Sequence, residues 1–169
     1  MLPLGHTGIG LQVAKPFRGK LPLEPLVVGT LLPDLIDKPL YYGLSLATGR
    51  HGFDIGLISG TRTIGHTILF TAALAALARA RRSKVLSALA LGSATHLVLD
   101  VATDVFTRRF SFSMSVWVWP LLGWQFPGYA YTGLRDHLGQ YHEPFLFLAE
   151  LVGATLLYVE WRRRRRTAP

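Results

Sequence analysis

Three apolar segments, each close to the length of a membrane-spanning helix, limit what this chain can fold into. They cover residues 64–84, 85–103 and 143–161. The first is rich in Ala and Leu and ends in basic residues, which is typical of a helix and its C-terminus. A spanning helix needs about 20 apolar residues, and these segments are about that long or slightly shorter. The sequence therefore predicts a helical bundle, either placed in a membrane or built around a generous apolar core.

The amino-acid composition bears on whether the bundle lies in a membrane or is water-soluble. Half of the 169 residues are hydrophobic, only 17% are charged, and the mean hydropathy is +0.31. That is apolar for a water-soluble domain of this size. The length predicts one helical domain over residues 1–169, ending in a basic tail at residues 162–169. The chain has no cysteine, so any metal site must be built from His, Asp and Glu.

The segments between the apolar helices contain turn and helix-breaking residues. Residues 1–25 are rich in Gly and Pro and predict irregular structure. Residues 23–44 hold an apolar run that Pro33 and Pro39 are expected to interrupt. Residues 110–133 are aromatic and contain two further prolines. We therefore predict an all-α, membrane-associated bundle with irregular N-terminal and aromatic loops.

Positive charge is concentrated near the ends of the apolar segments. Arg162 to Arg166 carry five of the eight net charges, which leaves +3 for the rest of the chain. A second basic cluster spans residues 79–84. If the three helices alternate in direction, both clusters fall on one side of an inner membrane, and the positive-inside tendency makes that side cytoplasmic. No basic stretch is interleaved with aromatic residues, so no nucleic-acid partner is expected.

The motif GSATHLVLDVATD, residues 92–104, places ionisable groups inside an apolar helix. His96 and Asp100 are four residues apart and so share one helix face. Asp104 lies one turn further on and is a weaker candidate. Ionisable groups at membrane depth mark functional sites, because burying them unpaired costs several kcal/mol. The pair suits a divalent cation such as zinc, although a His–Asp hydrogen bond within a core would also explain it.

Five more candidates lie upstream. LLPDLID supplies Asp34 and Asp37, TRTIGHT places His66 after Arg62 in the first turn of a helix, and GHTGIG contains His6. Taken singly, each has an ordinary explanation as a turn aspartate, a capping residue or a surface histidine. Their joint occurrence in a chain with six histidines favours one shared site.

Helix geometry predicts where this shared site lies. If residues 64–80 and 85–103 form an antiparallel hairpin turning at Arg82-Ser83, His66, His96 and Asp100 lie at similar distances from the turn. At about 1.5 Å per residue, the three groups fall within about one helical turn of the same height. We expect their side-chain atoms to converge within about 5 Å of one point.

The ordered set of an N-terminal His, LLPD, GHT at the start of a helix and THLVLD resembles a known family. It is similar to the YdjM-type, LexA-regulated inner-membrane metal-dependent hydrolases, over roughly residues 1–105. That family is grouped with zinc phospholipase C and fungal single-strand nucleases, which are all-helical and bind zinc. The resemblance implies metal ligands at His6, Asp34, His66, His96 and Asp100.

The same resemblance implies an activity, which is metal-assisted hydrolysis of a phosphoester in a small molecule or a membrane lipid. Thr61 stands where family members often have a His, so one or two divalent ions are implied, zinc above all. A bound divalent ion lowers the pKa of water to about 7. Asp34 or Asp37 would orient or deprotonate that water, and Arg62 would balance the charge of a phosphoryl group.

Two other classes of protein fit these residues. One is a non-catalytic membrane scaffold in which His–Asp pairs hold the helices together. The other is a metal-binding or transport protein. A scaffold would contain no metal, and a transporter would contain metal but would not hydrolyse a phosphodiester.

Overall fold

The computed structural model describes residues 3–107, 110–127 and 144–167 of the chain. Within these ranges it contains six α-helices, two short 3₁₀ helices and no β-strand. The α-helices are α1 (Pro3–Ala14), α2 (Leu23–Thr48), α3 (Ile68–Ala80), α4 (Lys84–Phe106), α5 (Phe110–Trp117) and α6 (Pro144–Thr167). The 3₁₀ helices are Gly52–Ile55 and Ile64–His66. The predicted all-α bundle is confirmed.

The predicted irregular structure of the N-terminal segment is found only at residues 15–22, because residues 3–14 form a helix. Helix α1 begins at Pro3, a residue type favoured in the first turn of a helix. Its glycines are poor helix formers, but they allow close packing against α6. A Cβ added at Gly8 would lie 2.1 Å from the carbonyl oxygen of Gly153, so the two backbones are in direct contact. Tertiary packing rather than local propensity therefore stabilises α1.

Helix α2 runs without a break through both of its prolines, which also contradicts the prediction from the sequence. Pro33 and Pro39 each remove one backbone hydrogen bond from the helix interior. The helix packs along α4, and a Cβ added at Gly29 would lie 2.6 Å from the carbonyl oxygen of Leu89. We infer that this close packing offsets the missing hydrogen bonds.

Helices α3 and α4 form the predicted hairpin, with its turn at residues 81–83. Both helices begin with a hydroxyl cap. The Oγ1 of Thr67 accepts a hydrogen bond from the backbone N–H of Phe70 at 3.0 Å, and the Oγ of Ser83 accepts one from Leu86 at 3.3 Å. His66 lies in the 3₁₀ turn just before α3 rather than in the first turn of the helix itself.

The aromatic segment is only partly a loop. Its first residues form α5, and residues 118–127 form turns and bends. Residues 128–133 of the predicted loop lie outside the described part of the chain.

A buried cluster joins four helices near one end of the bundle. It consists of Leu11, Ala14, Leu26 and Ala88, with Leu157 packed against it. The ends of α1 and α6 and the beginnings of α2 and α4 therefore lie close together. Three basic segments adjoin these helix ends, at residues 15–20, 79–84 and 162–166, and they contain 12 of the 18 Lys and Arg residues. We call this part of the molecule the basic end.

Helices α4 and α6 are long and apolar enough to cross a membrane. The spans Lys84–Phe106 and Pro144–Arg166 have mean hydropathies of 1.6 and 1.4. Only 17% of the α6 span is buried, and Phe147 and Leu148 are 61% and 57% exposed. Continuous apolar surface of this kind marks contact with a membrane or another protein.

Candidate metal centre

Side chains from four elements meet between α2 and α4. Helix α1 carries His6, α2 carries Asp34 and Asp37, the second 3₁₀ helix carries His66, and α4 carries His96 and Asp100. The three histidines, Asp37 and Asp100 are all at most 3% exposed. The Nε2 atoms of His66 and His96 are 3.2 Å apart, which confirms the predicted convergence across the hairpin.

Two carboxylate oxygens each lie within 4.0 Å of both imidazole Nε2 atoms. The atoms are Asp34 Oδ1, His66 Nε2, His96 Nε2 and Asp100 Oδ2. The His66 nitrogen lies 3.5 Å from each carboxylate oxygen, and the His96 nitrogen lies 3.6 Å from Asp100 and 4.0 Å from Asp34. A tetrahedral zinc ion with bonds of about 2.0–2.1 Å holds its ligand atoms about 3.3–3.4 Å apart. The His–Asp distances of 3.5–3.6 Å are close to that spacing, and the 4.0 Å distance is longer. Two overlapping triads, Asp34 with His66 and His96, and His6 with His96 and Asp100, lie close enough together to hold an ion.

Hydrogen bonds at the Nδ1 atoms of His66 and His96 orient the two rings so that Nε2 faces the cluster. His96 Nδ1 lies 2.7 Å from the backbone oxygen of Thr30, and His66 Nδ1 lies 2.7 Å from Asp37 Oδ2. Both partners are acceptors, so each Nδ1 carries a hydrogen and donates it. A neutral ring then presents the lone pair of Nε2 to the cluster, as in carboxylate–histidine–zinc arrangements.

The cluster consequently brings acceptor atoms together, and this arrangement favours a cation. His66 contacts two carboxylates, since its Nδ1 lies 2.7 Å from Asp37 Oδ2 and its Nε2 lies 3.5 Å from Asp34 Oδ1. A positive charge at this point, either a proton or a metal ion, is therefore stabilised by the surrounding groups.

Asp37 is fully buried, and its carboxylate accepts three hydrogen bonds. The backbone N–H of Thr63 donates to it at 2.6 Å, that of Gly65 at 3.0 Å, and the third bond comes from His66. These bonds fix the loop that carries His66. The geometry is that of a carboxylate that orients a histidine, and the catalytic role predicted for Asp37 stays a prediction.

His6 contacts the cluster from the side of α1. Its ring stacks on that of His96, with centroids 3.8 Å apart and planes inclined by 10°. Its Nε2 lies 3.3 Å from Asp100 Oδ1, the oxygen that faces away from the four-atom cluster. Its Nδ1 is buried and has no hydrogen-bond partner among the described residues. His6, His96 and Asp100 lie close enough to form a second ligand group, so the ligand role predicted for His6 is geometrically possible.

Arg62 closes the site toward the far end of α4. Its Nη2 lies 3.1 Å from Asp100 Oδ1, and its Nη1 donates to Asp104 Oδ2 at 2.7 Å. Arg62 therefore lies between two carboxylates of α4, those of Asp100 and Asp104. Asp104 is itself buried one turn beyond Asp100, and it also accepts a hydrogen bond from Ser113. The catalytic role predicted for Arg62 stays a prediction.

The most exposed part of the site is formed by Asp34, Arg62 and Lys38. Their side chains are 13%, 21% and 26% exposed. Lys38 lies one helical turn after Asp34, and its Nζ donates to Asp34 Oδ2 at 2.5 Å. Sequence analysis did not identify Lys38, because Pro33 and Pro39 predicted breaks in the helix that places the two residues on one face.

Glu150 is a second residue that the sequence analysis did not place at the site. Its carboxylate accepts hydrogen bonds from the backbone N–H groups of Leu4 and Gly5, at 3.0 and 2.7 Å. A carboxylate at a helix N-terminus is stabilised by the free N–H groups and the helix dipole. Glu150 therefore attaches the first turn of α1, and His6 with it, to α6. The interaction joins positions 145 residues apart in the chain, so no local pattern could reveal it.

Comparison with known proteins assigns the chain to a family. No curated protein and no solved structure matches it. The family model described as YdjM inner membrane protein matches residues 1–166, which is nearly the whole chain. The chain therefore belongs to the YdjM inner membrane protein family.

Proposed function

We propose that this protein is a membrane-embedded, metal-dependent hydrolase that acts on a phosphoester. The observation that carries the proposal is the four-atom cluster of Asp34, His66, His96 and Asp100, in which each carboxylate oxygen lies 3.5–4.0 Å from both imidazole nitrogens. Two imidazole nitrogens and two carboxylate oxygens suit zinc better than magnesium or calcium, which prefer oxygen ligands and higher coordination numbers. We propose one zinc ion at this cluster.

The roles of the surrounding residues follow from their contacts. Asp37 and the backbone oxygen of Thr30 orient His66 and His96, and His6 Nε2 lies 3.3 Å from the outer oxygen of Asp100. Asp34 is the most exposed of the four ligands and lies on the open side, where catalytic zinc sites admit water or substrate. A bound divalent ion supplies activated water and polarises a substrate oxygen.

The charges on the open side support an anionic substrate. Arg62 and Lys38 are the partly exposed cations there, and a guanidinium is well suited to phosphate oxygens. A phosphoester is therefore the proposed substrate class, and the setting within a membrane favours a lipid phosphoester over nucleic acid. The same chemistry underlies the proposed relation to zinc phospholipase C and single-strand nucleases.

The basic end gives the proposed orientation in the inner membrane. Basic residues at span ends are enriched on the cytoplasmic side, so we place the basic end in the cytoplasm. His96 and Asp100 lie 12 and 16 residues beyond Lys84 along α4, or about 18 and 24 Å from the basic end. The hydrocarbon core is about 30 Å thick, so the metal centre lies in the half of the membrane far from the cytoplasm.

Single cysteines test this orientation directly, because the chain has none of its own. Ser83→Cys labels the turn at the basic end, and Arg50→Cys labels the opposite end of α2. A membrane-impermeant maleimide added to spheroplasts should react with the Arg50→Cys chain and reach the Ser83→Cys chain only after lysis. The reverse pattern would show that the metal centre faces the cytoplasmic half.

Metal content is the first test of the enzyme proposal. Protein purified in detergent should contain about one zinc per chain, and His96→Ala should lose most of it because one of four ligands is missing. His51→Ala is the matched control, since His51 is exposed and lies outside the cluster. The metal-loaded protein should also hydrolyse a generic phosphodiester such as bis-p-nitrophenyl phosphate. Metal without hydrolysis would indicate a binding or transport protein, and absence of metal would indicate a scaffold.

A further inference from the structure

Helices α3 and α4 enclose an apolar groove of about 520 Å³ on a face away from the metal centre. Both walls are made largely of small residues, and Trp117 borders the groove. The residues used below are Ile68, Ala72, Ala75 and Ala78 from α3 and Ser87 and Val98 from α4. Along α4, the groove residues follow one face, whereas His96 and Asp100 belong to the face that packs toward α2.

The length of the groove matches one leaflet of a bilayer. Ile68 and Ala78 are ten residues apart on α3, which corresponds to about 15 Å. Half of the hydrocarbon core of a bilayer is also about 15 Å thick. One wall, α4, is itself a candidate membrane span, so the groove runs along the direction of the lipid chains.

The groove ends at a cluster of positive charges. Ala78 and Ser87 form its end at the α3–α4 turn, and between them lie Arg79, Arg81, Arg82 and Lys84. All four basic residues are exposed. Within residues 3–107, 110–127 and 144–167, none of them forms an ion pair with a carboxylate. These charges are therefore available to an anion at the mouth of the groove.

We propose that the groove and the basic turn together bind one anionic phospholipid from the leaflet at the basic end. One acyl chain lies between α3 and α4, and the phosphate lies against the basic side chains of the turn. Lipid is favoured over a protein helix because the groove couples one leaflet length of apolar surface with cations at headgroup depth. The site is separate from the metal centre, and the proposal does not depend on hydrolase activity.

Native mass spectrometry of the full chain in detergent tests the proposal. The probes are palmitoyl-oleoyl phosphatidylglycerol, which is anionic, and the matching phosphatidylethanolamine, which carries no net charge. The wild type should retain one phosphatidylglycerol and bind it at least about tenfold more tightly than phosphatidylethanolamine, given the favourable contribution of each basic residue near an anionic headgroup. Equal retention of the two lipids would overturn the proposal.

Substitutions in α3 test whether the lipid binds in the groove. Ala75→Phe fills the groove and should abolish retention of both lipids, whereas Ala73→Phe, exposed on the same helix but not in the groove, should retain them. Ala72→Phe repeats the test if the first variant does not fold, as judged by circular dichroism and thermal melting. Retention of phosphatidylglycerol by a folded, groove-filled chain would contradict the proposed site.

Charge variants test the headgroup contact. The combined change of Arg79, Arg82 and Lys84 to Gln should weaken phosphatidylglycerol binding by more than about tenfold without weakening phosphatidylethanolamine binding. Changing Arg162 to Arg166 to Gln removes more charge from the same end and should leave the retained lipid in place. An equal loss in both variants would show a general charge effect instead of a site at the turn.

Discussion

Replacing Asp37 with Asn keeps the shape of the side chain but exchanges one acceptor oxygen for a donor NH₂ group. In the structure, Oδ2 accepts from the N–H of Thr63 and from His66 Nδ1, and Oδ1 accepts from the N–H of Gly65. In either orientation, the amide NH₂ faces at least one of these donors. The variant therefore leaves a buried donor unpaired and weakens the support of His66.

The Asp37→Asn change should lower both the thermal stability and the zinc affinity of the protein. An unpaired buried donor costs about 1–3 kcal/mol, so the melting temperature should fall. Loss of a carboxylate that orients a metal-bound histidine lowers metal affinity by about 10- to 100-fold. We therefore expect Asp37→Asn to keep all ligands of the cluster yet bind zinc at least about tenfold more weakly.

Competition with a chelator of known affinity, in detergent, measures this change. Asp54→Asn is the matched control, because Asp54 is exposed and lies outside the cluster. If Asp37→Asn binds zinc as tightly as the wild type but loses hydrolysis, Asp37 acts on the reacting water and the orienting role is refuted.

Two further predictions concern charged residues. Changing Arg162 to Arg166 to Gln should weaken membrane retention or disturb topology while leaving metal content unchanged, since each basic residue near an anionic surface contributes about 1 kcal/mol. Membrane fractionation and metal analysis check this prediction. A chain that is soluble without detergent in both forms would contradict it. Arg62→Ala should lower the free energy of unfolding by about 2–3 kcal/mol, because Asp100 and Asp104 lose their cation. The loss is smaller than for a fully buried ion pair because Arg62 is partly exposed. Unchanged thermal melting would show that Arg62 has no such structural role.

The parts of the site that could be predicted depend on regular geometry. The distance between His66 and His96 followed from a short turn and the fixed rise of two helices, and the structure confirms it at 3.2 Å. The pairing of His96 with Asp100 followed from their spacing on α4.

The remaining parts depend on packing that local sequence does not encode. Pro33 and Pro39 predicted breaks in α2, yet the close contact of Gly29 with α4 keeps the helix continuous. The pairing of Lys38 with Asp34 depends on that continuity. Similarly, Glu150 stabilises a glycine-rich α1 that has little helix propensity of its own. In each case a tertiary contact overrides a local preference.

The contact between α2 and α4 also allows the candidate metal centre to be perturbed without changing any of its proposed ligands. A Cβ added at Gly92 would lie 2.6 Å from the backbone of both Gly29 and Leu26. Ordinary contact begins near 3.4 Å, so α2 would have to move away from α4 by nearly 1 Å. Asp34 lies on α2 and His96 on α4, and their ligand atoms are already 4.0 Å apart.

Gly92→Ala should therefore separate the two halves of the cluster and reduce zinc content. The same overpacking should destabilise the fold by about 1–3 kcal/mol. Gly43→Ala is the matched control, because Gly43 is an exposed residue of α2 with open space around it, and Ala there should stabilise the helix by up to about 1 kcal/mol. Metal analysis should show a loss of zinc in Gly92→Ala only, and the melting temperatures of the two variants should shift in opposite directions. A Gly92→Ala protein with wild-type zinc content would show that the close packing of α2 on α4 does not set the geometry of the metal centre.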